Sequence, residues 1–136
     1  MLPQNLQILN IANPAAGAEI ILTVPAGQAF NVRSMRFRLV TSATAGTRTV
    51  TLLYDDGTNI YAQIDPVMDH AASLTTDYTF TLDIGYKQAS GNRPVCNNSL
   101  PNLYLLAGHR LRTLTTNLAA GDQFSLVYLQ LQRYLI

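Results

Sequence analysis

The sequence predicts an all-β protein, a jelly-roll-like antiparallel β-sandwich with an N-terminal arm, because one strand, turn, strand pattern occurs twice. The turn Val24-Pro25-Ala26-Gly27 opens one apolar run, and Leu105-Leu106-Ala107-Gly108 opens another. Each run then crosses a polar loop to a second Ala-Gly pair, at Ala45-Gly46 or Ala120-Gly121, and enters a further apolar strand. Two copies are too few for a solenoid, but they suit the paired halves of a double-sheet domain.

Length and composition favour one weakly charged domain. The 136 residues suffice for a single core, and we expect an arm over residues 1–17 and one β-sandwich domain over residues 18–136. Charged residues make up 12% of the chain, about half of the usual share of roughly 25%. A surface with so little charge repulsion favours a protein that is largely covered by other protein.

The sequence does not support binding to nucleic acid or to a membrane, a secretion signal, a disulfide framework or a zinc site. The net charge of +1 gives no electrostatic reason to expect binding to nucleic acid or to a membrane. No basic region followed by a long apolar run opens the chain, and no stretch of about 18 apolar residues occurs. We therefore expect synthesis in a host cytoplasm, without a classical secretion signal. Cys96 stands alone, so neither a disulfide framework nor a CxxC zinc site is predicted.

The arm contains apolar residues at Leu6, Ile8, Leu9 and Ile11, followed by an Asn-Pro turn. This pattern has no helical face and is typical of a segment that lies along a surface as a short strand. We expect it to contact a neighbouring subunit or a partner. The next segment, 18–24, is a nearly continuous apolar run, which predicts a strand that is buried on both sides.

The strand over residues 30–40 changes its parity. Its apolar residues fall on even numbers up to Val32 and on odd numbers from Met35. One extra residue near Arg33 must be absorbed, and a β-bulge does this. In the second copy Leu111 is odd and Leu114 is even, which predicts a matching break.

The middle of the chain predicts a hairpin and an alternating strand. Asp-Gly within Asp55–Asn59 lies between strands at 47–54 and 60–64, and glycine accepts the positive φ of a tight turn. Residues 75–84 alternate between apolar and polar positions.

Two later segments suggest contact with other molecules. Residues 85–101 show no periodicity, and a loop of this length in a compact domain is usually functional or covered by a partner. The last strand, 124–134, has apolar residues at both even-numbered and odd-numbered positions. It is either central in a sheet and covered on both sides or turned toward another subunit.

Four arginines, Arg33, Arg36, Arg38 and Arg48, fall on two strands that we expect to be neighbours. One interpretation is a solvated or salt-bridged sheet face. The other is a face that pairs with carboxylates of a partner, since the planar guanidinium suits carboxylates better than lysine does.

Catalytic chemistry is not predicted. His70 and His109 are the two histidines, and no GxSxG, P-loop, HExxH or GxGxxG motif occurs. Asp65, Asp69 and His70 lie close in sequence, but three ligands on a loop are weak evidence for a metal, and turn chemistry explains them. We therefore expect no enzyme activity, no catalytic residue, no cofactor and no metal.

A sugar-binding surface is a further possibility. Exposed aromatic side chains would form it, and tyrosines are available, although the chain has no tryptophan. The candidate tyrosines are Tyr54, Tyr61, Tyr86 and Tyr104.

The segments VPAGQAFNVRSMRFRLVTSATAGTRTVTLLYDDGTNIY and LPNLYLLAGHRLRTLTTNLAAGDQFSLVYLQL resemble small structural proteins encoded among the head and tail genes of tailed bacteriophages. Within that group the chain looks most like the capsid decoration, or cement, proteins. The resemblance implies a β-sandwich that forms homotrimers, binds the major capsid protein on the virion surface and stabilises the phage head. The alternatives are a carbohydrate-binding or host-attachment module of a tail or fibre, or a head-to-tail connector component.

Several residues are expected to form the interface with the capsid or with other copies of the chain. They are Leu6, Ile8, Leu9, Ile11, Arg36, Arg38, Arg48, Lys87, Arg93, Val127, Leu129 and Leu131.

Overall fold

The computed structural model describes residues 3–82 and 95–136, and these form ten strands and no helix. The predicted all-β class is confirmed. In chain order the strands are β1 Pro3–Ile11, β2 Ile21–Thr23, β3 Gln28–Val40, β4 Val50–Asp55, β5 Ile60–Ile64, β6 Thr75–Thr81, β7 Val95–Ser99, β8 Tyr104–Leu105, β9 Arg110–Thr115 and β10 Gln123–Leu135. In this part of the chain, no helix is long and apolar enough to cross a membrane.

The strands form two sheets whose pairing is nested. The larger sheet has the order β1-β10-β3-β6-β7, with β8 also paired to β3, and the smaller sheet has the order β2-β9-β4-β5. Strands from opposite ends of the chain pair with each other: β1 with β10, β2 with β9, β3 with β6 and β4 with β5. A long hairpin that folds over into two sheets has this order of pairing. This arrangement is a jelly roll, and it confirms the predicted β-sandwich.

The core lies between the sheets and is built around Phe37. Its ring stacks on Tyr78 with centroids 5.0 Å apart and meets Phe124 edge-on at 5.5 Å. Leu52 and Leu111 face these rings from the smaller sheet, and both are fully buried. Burial of each such side chain stabilises the fold by about 1.5–3 kcal/mol.

Two bulges shape the pairing of β3 with β10. The predicted bulge is confirmed: Gln130 pairs with Ser34 and Leu131 with Val32, so Arg33 is the extra residue. A second bulge lies on β10 between Ser125 and Tyr128.

The prediction of a matching break in β9 is wrong, because the register of β9 with β4 is continuous. Its inward positions include Thr113 and Thr115, whose hydroxyls donate to Glu19 at 2.9 and 2.8 Å. Leu114 is simply an outward residue, 51% exposed.

The paired turns of the repeat lie side by side. The Gly108 amide donates to the Val24 carbonyl at 2.9 Å, and the Val24 amide donates to the His109 carbonyl at 3.0 Å. Gly27 and Gly108 both have positive φ, at 76° and 82°, which explains a glycine in each turn.

The predicted hairpin is also confirmed: β4 and β5 are antiparallel, and Gly57 has a φ of 95°. The strand expected over residues 18–24 is shorter than predicted and buried on one face only. Ile21 points to solvent while Leu22 is buried, as alternation in a strand of a sheet with one solvated face requires.

The expected arm and the expected loop both contain strands. Residues 3–11 of the expected arm form β1, the edge strand of the larger sheet, antiparallel to β10. The expectation of an aperiodic loop over 85–101 is wrong for Val95–Ser99, which form β7 and pair in parallel with β6. The part of that prediction that concerns residues 85–94, including Lys87 and Arg93, lies outside the described residues.

Candidate docking surface

The outer face of the larger sheet carries a shallow groove that crosses β1, β10 and β3. Three adjoining depressions of about 410, 210 and 150 Å³ form it. The first shares Ser34 and Gln130 with the second, and the second shares Arg36 and Tyr128 with the third. We call this feature the outer groove, and its outward residues are Leu6, Ile8, Ser34, Arg36, Leu126, Tyr128 and Gln130.

Strand register sets the chemistry of the outer groove. Tyr128 lies opposite Asn10 on one side and Arg36 on the other, and Gln130 lies opposite Ile8. Neighbouring side chains on one sheet face interact across strands. The groove therefore places an aromatic ring and a guanidinium beside aliphatic and amide groups, a mixture typical of protein interfaces.

Leu126 is the strained residue of this surface. It lies in the β10 bulge with a φ of 51°, a conformation that costs a non-glycine residue roughly 1–2 kcal/mol. Its side chain is 46% exposed and lines the groove beside Tyr128 and Arg36. Bulges often re-aim side chains next to functional sites, and strain is commonly retained where it serves a site.

The arginines of β3 differ in their partners. Arg38 donates through Nε to Asp77 at 2.9 Å, and Arg33 donates to Gln132 at 3.5 Å. Arg36 is exposed, and among the residues that the structure describes it has no hydrogen-bond or ion-pair partner. Within the described part of the chain, the outer groove therefore presents the Arg36 guanidinium without a hydrogen-bond or ion-pair partner.

Arg48 is not part of this surface. It was expected beside the β3 arginines, but it precedes β4, which belongs to the other sheet, and it is fully buried. Its Nε and Nη2 donate to the Asp122 carboxylate at 2.9 and 3.1 Å. Its Nη1 also donates to the carbonyls of Thr44 and Gly46. Arg48 is therefore a structural residue that no partner can reach.

Asp122 completes this internal contact. It also accepts hydrogen bonds from the amides of Ser42 and Ala119, each at 2.9 Å. Burial alone would raise the pKa of this carboxyl, but the Arg48 guanidinium and the two amides outweigh burial and hold the pKa at about 2. The ion pair ties together the two Ala-Gly loops of the repeat.

Three further expected interface residues are corrected by the structure. Val127, Leu129 and Leu131 are buried in the core, because the bulge at Leu126 shifts the inward positions of β10 from even to odd numbers. They offer no surface to a partner.

The expected residues of the N-terminal segment divide into two groups. Leu6 and Ile8 are exposed, whereas Leu9 and Ile11 are partly buried against the core.

The outer face of the smaller sheet is organised around Asp55. This carboxylate accepts from Nε of Arg110 at 2.8 Å and from Nε of Arg112 at 2.6 Å. Burial opposes its ionisation, but the two guanidinium groups and the Gly57 amide lower its pKa to about 2. Both arginines are thereby paired within the chain, and Asp55 offsets one of their two positive charges.

The residues considered for a metal do not converge. Asp65 accepts from Gln63, and Asp69 accepts from Thr49. His70 is buried, with Nε2 2.8 Å from the Leu74 carbonyl and Nδ1 3.0 Å from the Tyr78 hydroxyl. Within residues 3–82 and 95–136, no group of three or more His, Cys, Asp or Glu residues could hold a metal ion.

The His70 ring has a defined tautomer. Nε2 faces a carbonyl and must donate, so Nδ1 accepts from Tyr78. Burial lowers the pKa of His70, which favours the neutral ring. His70 is therefore a core histidine. His109 lies elsewhere, with Nδ1 3.2 Å from the Tyr61 hydroxyl at the surface.

No protein-family model, curated protein or solved structure matches this chain.

The sequence indicated part of the outer groove and missed its centre. Leu6, Ile8 and Arg36 were expected at an interface and do line the groove. Leu126 and Tyr128 were not selected, although apolar residues in both parities of the last strand were the signal for a bulge there.

Proposed function

We propose that this chain is a non-enzymatic structural protein of a virus particle, a decoration protein that binds the major capsid protein through the outer groove and stabilises the head. The observation that carries the proposal is Leu126. A strained backbone holds its aliphatic side chain in the open, beside Tyr128 and the unpaired Arg36. The jelly roll is a fold of viral capsid and lectin domains, which is consistent with this role.

The binding contact combines apolar burial with one ion pair. Leu126 and Tyr128 supply apolar and aromatic area, and Arg36 meets a carboxylate of the capsid protein as a bidentate pair. Many copies bound to one shell contribute together, so a moderate affinity at each site is sufficient to brace the shell.

Binding to bare capsids tests the proposal. We expect saturable binding that raises the temperature at which the shell opens, and at least tenfold weaker binding for Arg36→Glu and for Leu126→Asn. Asparagine tolerates the left-handed backbone, so the second variant keeps the fold. Thr58→Glu is the control, because it adds a charge at an exposed position on the β4–β5 turn. Unchanged binding by Arg36→Glu would contradict the proposal.

A carbohydrate-binding module is the second candidate function, and Tyr128 favours it. A tyrosine ring in a groove, flanked by the amide of Gln130 and the guanidinium of Arg36, can stack on a sugar and hydrogen-bond its hydroxyls. A glycan array discriminates between the two functions. Saturable glycan binding that Tyr128→Ala abolishes, together with no binding to capsids, would assign the chain to host attachment.

A further inference from the structure

β1 is a long sheet edge that carries only one of the usual protections against pairing, a register irregularity between Pro3 and Leu6. It has nine residues, PQNLQILNI, with no charged side chain and no proline after its first position. Its outer edge pairs with no strand among the described residues. Natural edge strands are commonly shortened, bent or charged so that they do not pair with other chains.

The edges of the smaller sheet are protected in these ways. β2 has only three residues, and β5 has five residues with Asp65 immediately after it. β1 is therefore the longest of the edge strands that the structure describes.

Side chains on both sides of β1 are incompletely covered. On the outer face, Leu6 is 51% exposed and Ile8 is 77% exposed. On the inner side, the partly buried Leu9 lines a cleft of about 270 Å³ at the same edge, between the sheets. An added strand would cover apolar groups on both faces at once.

The sequence of β1 is self-complementary about its midpoint. If a second β1 runs antiparallel with Gln7 opposite Gln7, the numbers of opposed residues sum to 14. Leu6, Gln7 and Ile8 lie in the part of β1 whose register with β10 is regular. Leu6 of each copy then lies opposite Ile8 of the other, on the outer face. The exposed aliphatic residues thus meet each other, and no charge opposes the contact.

We propose that β1 pairs with β1 of a second copy of this chain in a twofold dimer centred on Gln7, so that one sheet continues through both copies. This dimer replaces the homotrimer that the resemblance implies. The twofold axis is perpendicular to the sheet, since inward residues stay opposite inward residues. Both outer grooves therefore face the same side. The dimer does not depend on the proposed capsid binding, and its test contains no capsid.

Native mass measurement of the intact chain at micromolar concentration tests the dimer. We expect the wild-type chain to be dimeric and Leu6→Lys and Ile8→Glu each to be monomeric, because each puts two charges opposite aliphatic groups. An equimolar mixture of the two variants should restore a dimer with one copy of each. In that mixed dimer the introduced lysine lies opposite the introduced glutamate, and the second contact keeps the native Leu6 and Ile8 side chains.

Two controls keep the test specific. Ile60→Lys changes an exposed residue on the opposite β5 edge and should remain dimeric. Far-ultraviolet circular dichroism should match the wild type for both β1 variants, since both side chains are exposed.

A cross-link checks the register. Oxidation of a mixture of Leu6→Cys and Ile8→Cys chains should give the mixed disulfide, because opposed Cα atoms in an antiparallel pair lie within disulfide range. The native Cys96 is buried and should not react. A monomeric or trimeric wild type, a dimer unaffected by Leu6→Lys, or no mixed dimer would each overturn the proposal.

Discussion

The outer faces of the two sheets use arginine in opposite ways. On the smaller sheet, Arg110 and Arg112 both donate to the Asp55 carboxylate. On the larger sheet, Arg36 lies opposite Tyr128 on one side and Thr79 on the other, and neither side chain is an acid. The strand register, rather than the residue type, therefore decides whether an arginine stabilises the fold or remains available to a partner.

Arg48 is the extreme case of the structural role, and its replacement should have the largest effect. Arg48→Met leaves Asp122 buried without its cation, which costs about 3–5 kcal/mol of unfolding free energy. Urea denaturation measures the loss. Arg36→Met is the matched control, and we expect it to change stability by less than about 0.5 kcal/mol. Equal losses for the two variants would remove the distinction between the faces.

Asp55→Asn tests the structural role of the arginines on the outer face of the smaller sheet. It leaves Arg110 and Arg112 without a carboxylate, but both guanidinium groups are partly exposed to water, which screens the effect. We expect a loss of about 1–2 kcal/mol in unfolding free energy. A double variant with Arg112→Gln should lose less than the sum of the single changes, because the two residues share one interaction.

Lowering the pH should weaken the interactions of the same carboxylates in the wild-type chain. The pKa values of Asp55 and Asp122 are lowered to about 2 in the folded chain, from 3.8. The unfolded chain binds more protons between these values, so their stabilisation is complete above about pH 4 and is lost as the pH falls through about 2. Unfolding free energies measured between pH 2 and 6 should decline on the acid side. The decline should be shallower in Asp55→Asn.

Leu126→Gly should change stability less than Arg48→Met or Asp55→Asn does, and in the opposite direction. Glycine relieves the left-handed strain, so the melting temperature should rise slightly, equivalent to about 0.5–1 kcal/mol. The same variant should bind capsids more weakly because it lacks the exposed aliphatic group. If stability and binding both improved, Leu126 would not be part of a docking surface.

Local sequence patterns predicted much of the fold. The glycine turns, the Asp55–Asn59 hairpin and the bulge at Arg33 all depend on neighbouring residues, and all are confirmed. β7 gave no alternating signal because Asn98 occupies a buried position. The Asn98 side-chain amide donates hydrogen bonds there to the carbonyls of Thr79 and Cys96. A polar residue satisfied in this way is invisible to hydrophobic periodicity.

The candidate site was harder to predict because distant residues define it. Arg48 could not be recognised as buried from its own segment, since its partner Asp122 lies 74 residues further along the chain. Arg36 could not be recognised as unpaired, because β10 and β6 supply its neighbours. Val127, Leu129 and Leu131 were misplaced since a single extra residue at a bulge reverses inside and outside.

The nested pairing has a consequence for synthesis. Of the ten described strands, β1 leaves the ribosome first and its neighbour β10 leaves it last. Until β10 has been synthesised, this uncharged nine-residue strand lacks its partner strand. Chains growing side by side on one messenger RNA could therefore join through β1 before either has closed its larger sheet, so a molecular chaperone that covers this segment should raise the yield of correctly folded protein.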